Sequence, residues 1–182
     1  RFGGKFSILW GAGGAAVANL LMGLGAWTLL NDGPMSEVVA GNFLAIYAVL
    51  YSANMYFQSF GAVAIVKVNA PWFHVRERGV FGAIFGILIS LGIYLAFDVG
   101  YLILDGLGLA WVFLMPAALL GIFWVIDFFV VRNRPGLAGF EDFNTGDASA
   151  GDDSPRLGAI PMFKLMFRNP IIMTIAGIEF CS

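Results

Sequence analysis

Four long runs of the chain are apolar and almost free of charge, and no other feature limits its fold as strongly. They are Phe6–Leu30, Val38–Val66, Gly79–Phe97 and Gly106–Val131, and a fifth apolar run follows Pro170. Each of the four reaches or nearly reaches the roughly 20 apolar residues that a helix needs to cross a bilayer. Their only charge is Asp127, and they lack the alternation of a barrel strand. The sequence therefore predicts an all-α membrane protein.

The composition excludes several other classes. The chain is 59% hydrophobic and 12% charged, whereas a soluble domain has about 45–50% apolar and about 25% charged residues. The single cysteine, Cys181, excludes a disulfide framework and a cysteine-based metal cluster within this sequence. No nucleophile–base pair, metal-ligand set or phosphate-binding loop is evident. We therefore expect neither an enzyme nor a bound cofactor, and we expect no nucleic-acid partner.

The basic residues predict the direction of the spans. If the chain threads up and down through a membrane, all ten Lys and Arg residues fall on one side. In the loops of the other side the charged residues are all acids, namely Asp32, Glu37, Asp98 and Asp105. The positive-inside rule makes the basic side cytoplasmic. The short turn that contains Arg76, Glu77 and Arg78 is then cytoplasmic, and its charges are at least orientation anchors.

One segment, residues 133–160, is long and polar, and it is rich in Gly, Asp and Ser. This composition predicts a solvated cytoplasmic linker between residues 1–132 and residues 161–182. After the linker, Lys164 and Arg168 alternate with apolar residues, which predicts a short interfacial helix before the next span. The chain starts on a basic loop and stops in an apolar run, so we expect an internal fragment of a longer protein.

A polar face marks the second predicted span. Tyr47, Tyr51, Asn54 and Gln58 follow one another at intervals of four, three and four residues, so they share one side of a helix. Polar side chains in a span face the bundle interior or a water-filled path, because lipid offers them no hydrogen-bond partner. Two interpretations stay open at this point: a solute path and an interhelical hydrogen-bond seam.

Two small-residue motifs predict close helix packing. The first, WGAGGAA at residues 10–16, also has the spacing of a dinucleotide fingerprint, but it lacks the preceding strand that such a site requires. The second is Gly82-x-x-x-Gly86-x-x-x-Ser90 in the third predicted span. For Ser90, packing is favoured over contact with a ligand.

Three ionisable residues lie at or near membrane depth. Lys67 lies where the second span meets the cytoplasm, which predicts a snorkelling side chain. Asp127 lies about one turn before the cytoplasmic end of the fourth span, and we expect it to pair with Arg132 or Lys67. Glu179, nine residues after Pro170, approaches mid-bilayer at about 1.5 Å per residue. An acid there predicts either a functional site or a structural ion pair.

Several motifs then occur in a characteristic order. Residues 1–5, RFGGK, match the second half of a D-R-x-G-x-R/K loop motif. Residues 57–79 carry F-Q-x-x-G, a base and W-x-x-x-x-E-R-G, and residues 115–139 carry M-P-A and R-x-x-P-x-x-x-G. In this order and spacing the chain resembles the major facilitator superfamily. Within it, the chain is most similar to the organophosphate:phosphate antiporter branch, which includes glycerol-3-phosphate transporters.

The resemblance implies a fragment of a twelve-helix bundle: helices 3–6, the central loop and the start of helix 7. It also implies alternating-access transport, with a site between the two six-helix halves at mid-membrane. In this interpretation the substrate-binding residues are Tyr47, Tyr51, Asn54, Gln58 and Ser90. The residues for ion coupling or ion pairing are Glu179, Asp127 and Lys67. The gating turns contain Arg1, Gly3, Lys5, Arg76, Glu77 and Arg78.

These features predict a monomeric secondary transporter of a small anionic metabolite, such as an organophosphate, in a bacterial inner membrane. Its expected partners are the small-molecule substrate and membrane lipid. One alternative is a proton-coupled carrier of a carboxylate or another non-phosphate solute. A second alternative is a membrane sensor that keeps a transporter fold. Ile89 stands where the branch carries a histidine, and isoleucine donates no hydrogen bond, so we expect weak binding of inorganic phosphate.

Overall fold

The computed structural model describes residues 3–142, 144–146 and 159–181, and these residues contain helices and loops but no strand. The chain divides into two compact units, Arg1–Asp147 and Ala148–Ser182. The first unit contains α1 (Gly4–Leu30), α2 (Ser36–Gly41), α3 (Phe43–Asn69), α4 (Arg78–Leu107), α5 (Leu109–Val130) and a 3₁₀ turn (Pro135–Ala138). The second unit contains α6 (Ala159–Arg168) and α7 (Pro170–Cys181), which contact each other.

Four helices, α1, α3, α4 and α5, are long and apolar enough to cross a membrane. The prediction of four membrane-compatible helices is therefore confirmed, although two boundaries were wrong. The second predicted span is divided, because the Asn42 amide and side chain both donate to the carbonyl of Val38 and end α2 there. The third predicted span is too short, because α4 continues to Leu107 and includes Asp98 and Asp105, which we expected in a loop.

Helix α1 is the centre of the first unit and packs against both α3 and α5. It is antiparallel to both, because its first turn lies beside Val68 of α3 and Phe128 of α5. Its glycines allow this close approach: a Cβ at Gly11 would lie 2.9 Å from the carbonyl oxygen of Phe57 on α3, and one at Gly23 would lie 2.6 Å from Cδ2 of Leu114 on α5. Helix α4 is different, because α5 is the one described helix that it contacts.

The two sides of α1 differ in side-chain size. One side carries exposed large apolar residues: Phe6, Trp10, Val17, Leu20, Leu21, Leu24 and Trp27. The other carries the small residues Gly11, Ala12 and Ala15, together with Asn19. Large apolar side chains suit lipid, and small ones suit helix packing. We call these the lipid-compatible side and the inward side of α1.

Candidate functional site

Three amide side chains connect α3 to α1. Asn54 is 4% exposed, and its Nδ2 donates to Oδ1 of Asn19 at 3.2 Å. One turn further along α3, Nε2 of Gln58 donates to Oδ1 of Asn54 at 2.9 Å. Tyr47 extends the connection, because its hydroxyl donates to the carbonyl of Met22 on α1 at 2.8 Å. Part of the predicted polar face is therefore an interhelical hydrogen-bond seam.

Asn19 is the residue of this cluster that the sequence analysis missed. The rule that singled out Asn54, a polar side chain in an otherwise apolar span, applies equally to Asn19. The sequence signal at Asn19 is weaker, because it has no polar neighbour at helical spacing on its own helix. Its hydrogen-bond partner lies 35 residues away in the chain.

A groove of about 460 Å³ borders the amides. We call it the inward groove, because it follows the inward side of α1. Its lining residues are Ile8, Gly11, Ala12, Ala15 and Asn19 of α1, Phe57, Gln58, Gly61 and Ile65 of α3, and Pro116 and Leu120 of α5. Asn19 and Gln58 give this otherwise apolar surface its polar groups. The structure therefore contains a cavity beside the seam, and the two interpretations of the polar face are compatible.

The amides lie near the middle of both helices. Asn19 lies 15 residues from Gly4 and 11 from Leu30, and Asn54 lies 11 residues from Phe43 and 15 from Asn69. At about 1.5 Å per residue, each is roughly 16–23 Å from the helix ends. In a membrane with a core of about 30 Å, this position corresponds to the middle of the bilayer.

Two of the predicted substrate-binding residues do not join this cluster. The Tyr51 side chain is 57% exposed and forms no hydrogen bond with a described residue. The Ser90 hydroxyl donates to the carbonyl of Gly86 at 3.0 Å within α4, and α4 does not contact α3 in the described part of the chain. The close packing that we expected at Gly82 and Gly86 is also absent there, since no described atom lies within 4 Å of an added Cβ at either residue.

The predicted ion pair of Asp127 is not found among the residues that the structure describes. Asp127 lies in the last turn of α5 and is half-buried, and no described base lies within ion-pair distance of its carboxylate. The Arg132 guanidinium instead donates to the carbonyl of Val131 at 3.2 Å. Lys67 occupies the last turn of α3. Glu179 lies in α7, but its side chain is outside the described part of the structure, as is all of Arg1.

The basic loops converge on one end of the first unit, which we call the basic end. The Lys5 amide, in the first turn of α1, donates to Oδ1 of Asn133 at 2.8 Å. The Lys5 ammonium donates to the carbonyl of Phe128 and lies 5.2 Å from the centre of its ring. A Cβ at Gly3 would meet the Asn133 side chain within 3 Å. Trp72, in the turn before α4, donates its indole N–H to the carbonyl of Arg132 at 3.2 Å.

The turn before α4 is held by its own polar groups. The Glu77 carboxylate accepts the His74 amide at 3.2 Å, and Nδ1 of His74 accepts the Arg76 amide at 3.3 Å. The Arg78 guanidinium donates to the carbonyl of Ala70 at the end of α3, at 2.8 Å. A cation at a helix C-terminus is electrostatically favourable. Glu77 and Arg78 thus have structural roles in this turn.

Neither a metal centre nor a known relative identifies the chain. Among residues 3–142, 144–146 and 159–181, no three His, Cys, Asp or Glu side chains are arranged to hold a metal ion. No protein-family model, curated protein or solved structure matches the sequence.

Proposed function

We propose that the chain is part of a secondary transporter and that the inward groove lines the path of its solute. The observation that carries this proposal is the position of Asn19 and Gln58, which Asn54 joins by hydrogen bonds, at the wall of a cavity at mid-helix depth. Polar residues at membrane depth are costly and concentrate along solute pathways. The groove volume of about 460 Å³ falls within the roughly 300–1,000 Å³ typical of small-molecule sites.

The hydrogen bonds among the amides determine what the groove offers to a solute. Asn19 uses Oδ1 and Gln58 uses Nε2 within the seam. Nδ2 of Asn19 is then a donor for a bound solute, and Oε1 of Gln58 is an acceptor. A hydroxyl or amide group satisfies both.

The solute we propose is a small anionic metabolite. The residues that line the inward groove include no Lys or Arg. The proposal thus requires that bases outside this lining bind the anionic group of the solute. The motifs that resemble the major facilitator superfamily support alternating access, in which a second half of the protein completes the site.

Asp127 favours a proton-coupled carrier as the second candidate. A half-buried carboxylate with no described counter-charge can take up and release a proton without breaking an ion pair. In a proton-coupled carrier, Asp127→Asn abolishes uptake driven by a proton gradient but preserves exchange of solute across the membrane. In an antiporter, Asp127→Asn leaves both measurements unchanged.

Counterflow in proteoliposomes tests transport directly. Vesicles loaded with glycerol 3-phosphate, inorganic phosphate or lactate are placed in the same labelled solute, and its accumulation is measured. Gln58→Ala should weaken apparent affinity about tenfold, the equivalent of one hydrogen bond at about 1.4 kcal/mol. The matched control is Ser59→Ala, because the Ser59 hydroxyl donates to the carbonyl of Tyr56 on its own helix. Binding of a solute without counterflow would favour the alternative of a membrane sensor that keeps a transporter fold.

Thiol labelling separates a path from a sealed seam. In a Cys181→Ser background, Gln58→Cys should react with a water-soluble, membrane-impermeant thiol reagent. Leu24→Cys, on the lipid-compatible side of α1, should not react. If Gln58→Cys is also unreactive while the protein remains folded, the groove is closed by packing and does not conduct solute.

A further inference from the structure

A second cavity lies on the lipid-compatible side of α1, and Phe57 lines both this cavity and the inward groove. Its volume is about 660 Å³. Residues of three helices line it, among them Trp10 and Gly13 of α1, Leu50 and Phe57 of α3, and Gly121 and Trp124 of α5. We propose that this cavity, the outer groove, binds one acyl chain of an anionic phospholipid whose phosphate group contacts Lys5.

Tryptophans at two levels indicate where the first unit meets the two membrane interfaces. Trp10 and Trp124 lie towards the basic end, and Trp27 and Trp111 lie towards the opposite end. All four are partly exposed, between 36% and 49%. Trp10 and Trp27 are 17 residues apart, about 25 Å along α1. Two tryptophan levels at this separation match the aromatic belts of membrane proteins.

The length of the outer groove matches one leaflet. It follows α1 from Leu9 to Leu21, a rise of about 18 Å for twelve residues. One leaflet accounts for about 15 Å of a hydrocarbon core of about 30 Å. Since Trp10 marks the interfacial level, the groove runs from the headgroup region to mid-bilayer, as an acyl chain does.

A fixed indole and small residues shape the groove. Nε1 of Trp124 donates to the carbonyl of Leu9 at 2.9 Å, and the absence of a side chain at Gly13 makes room for the same indole. Gly121, one turn before Trp124 on α5, has no described atom within 4 Å of an added Cβ. The space beside Gly121 is therefore open.

Lys5 supplies the charge that selects an anionic headgroup. It lies four residues before Leu9, one helical turn closer to the basic end. Its ammonium has three N–H donors, and one of them binds the carbonyl of Phe128. The others remain for a phosphate oxygen. The basic end is the predicted cytoplasmic end, where the leaflet is rich in anionic lipid.

Native mass spectrometry of the purified protein in detergent tests this site. The protein is equilibrated with an equimolar mixture of phosphatidylglycerol and phosphatidylcholine, and retained lipid is counted. We expect one phosphatidylglycerol per chain. Gly121→Leu should remove it by filling the groove. Lys5→Gln should lower the preference for phosphatidylglycerol about fivefold, which corresponds to ~1 kcal/mol per basic residue at an anionic surface.

Gly92→Leu is the matched control, because Gly92 lies on α4 and also has no described atom within 4 Å of an added Cβ. It should retain the lipid. Ala53→Leu, which fills the groove from α3, should release it even if Gly121→Leu fails to fold. Three results would overturn the proposal: no retained lipid, equal retention in all folded variants, or a dimer mass without lipid, which would assign the groove to a second copy of the chain.

Discussion

Helices α1 and α4 are both long enough to cross a membrane, yet they differ sharply in how they pack. Helix α4 is the more apolar of the two, but it has no buried residue, whereas α1 has seven. In water, the more apolar helix would be the more buried one. In lipid, apolar side chains gain nothing by leaving the solvent, so small residues and polar pairs decide which helices associate.

Glycines show the same contrast. A Cβ at Gly11, Gly14 or Gly23 of α1 would meet a neighbouring helix, whereas Gly82, Gly86 and Gly92 of α4 face open space in the described structure. Glycine in a transmembrane helix therefore has two different structural roles, and the spacing of glycines in the sequence does not distinguish them. In α1 it lets two backbones approach each other. In α4 it leaves a surface that other protein or lipid covers.

The largest expected effect is that of a bulky side chain at Gly11. Gly11→Leu places its Cβ against the carbonyl of Phe57, which is backbone and cannot rotate away. We expect the free energy of unfolding to fall by about 3 kcal/mol, the upper range for overpacking. Gly86→Leu on α4 should change it by less than about 0.5 kcal/mol. Unfolding in mixed micelles, followed by far-ultraviolet circular dichroism, measures both, and equal losses would contradict the assigned packing.

Substitutions in the amide seam should cause the second-largest loss of unfolding free energy. Asn54→Leu leaves Asn19 and Gln58 without their shared partner, so we expect a loss of about 1–2 kcal/mol in the same unfolding measurement. Ser90→Ala, whose hydroxyl binds only its own helix, should have almost no effect. In a double-mutant cycle, Asn19→Leu and Asn54→Leu should cost less together than the sum of the two. Strict additivity would show that the two amides do not interact.

The basic end should tolerate substitution better. Asn133→Ala removes the acceptor for the Lys5 amide, and loss of such a helix-capping group costs about 1 kcal/mol. Hydrogen exchange of the amides in the first turn of α1 should accelerate. Glu77→Ala, which removes a contact within one turn, should accelerate exchange at His74 alone. Unchanged exchange at Lys5 in Asn133→Ala would count against this contact.

The smallest effect is expected at Tyr47. Tyr47→Phe removes the hydrogen bond to the Met22 carbonyl, and interhelical hydrogen bonds in membranes average about 0.6 kcal/mol. Tyr94→Phe on α4, where the hydroxyl makes no hydrogen bond with a described residue, serves as the control. Identical unfolding free energies for the two variants would show that the Tyr47 hydroxyl does not stabilise the contact between α1 and α3.

The sequence predicted what depends on one helix at a time. Length and hydropathy were sufficient for the four membrane-compatible helices, and spacing placed Tyr47, Asn54 and Gln58 on one side of α3. Length, hydropathy and spacing could not predict which helices pack against each other. The role of Asn19 depends on α1 lying against α3, and the lack of a described base beside Asp127 depends on where Arg132 turns after α5 ends. Spacing along the chain contains no information about either arrangement.

The link between α4 and α5 is a single residue, Gly108, whose φ of +91° lies in a region that side chains disfavour. Because one residue joins the two helices, the backbone conformation of Gly108 sets their relative direction. A one-residue link leaves few backbone groups outside the two helices, and the Gly108 amide itself donates to the carbonyls of Ile103 and Leu104. Any side chain at residue 108 would therefore strain this link and alter the angle between two apolar helices that no other described residue joins.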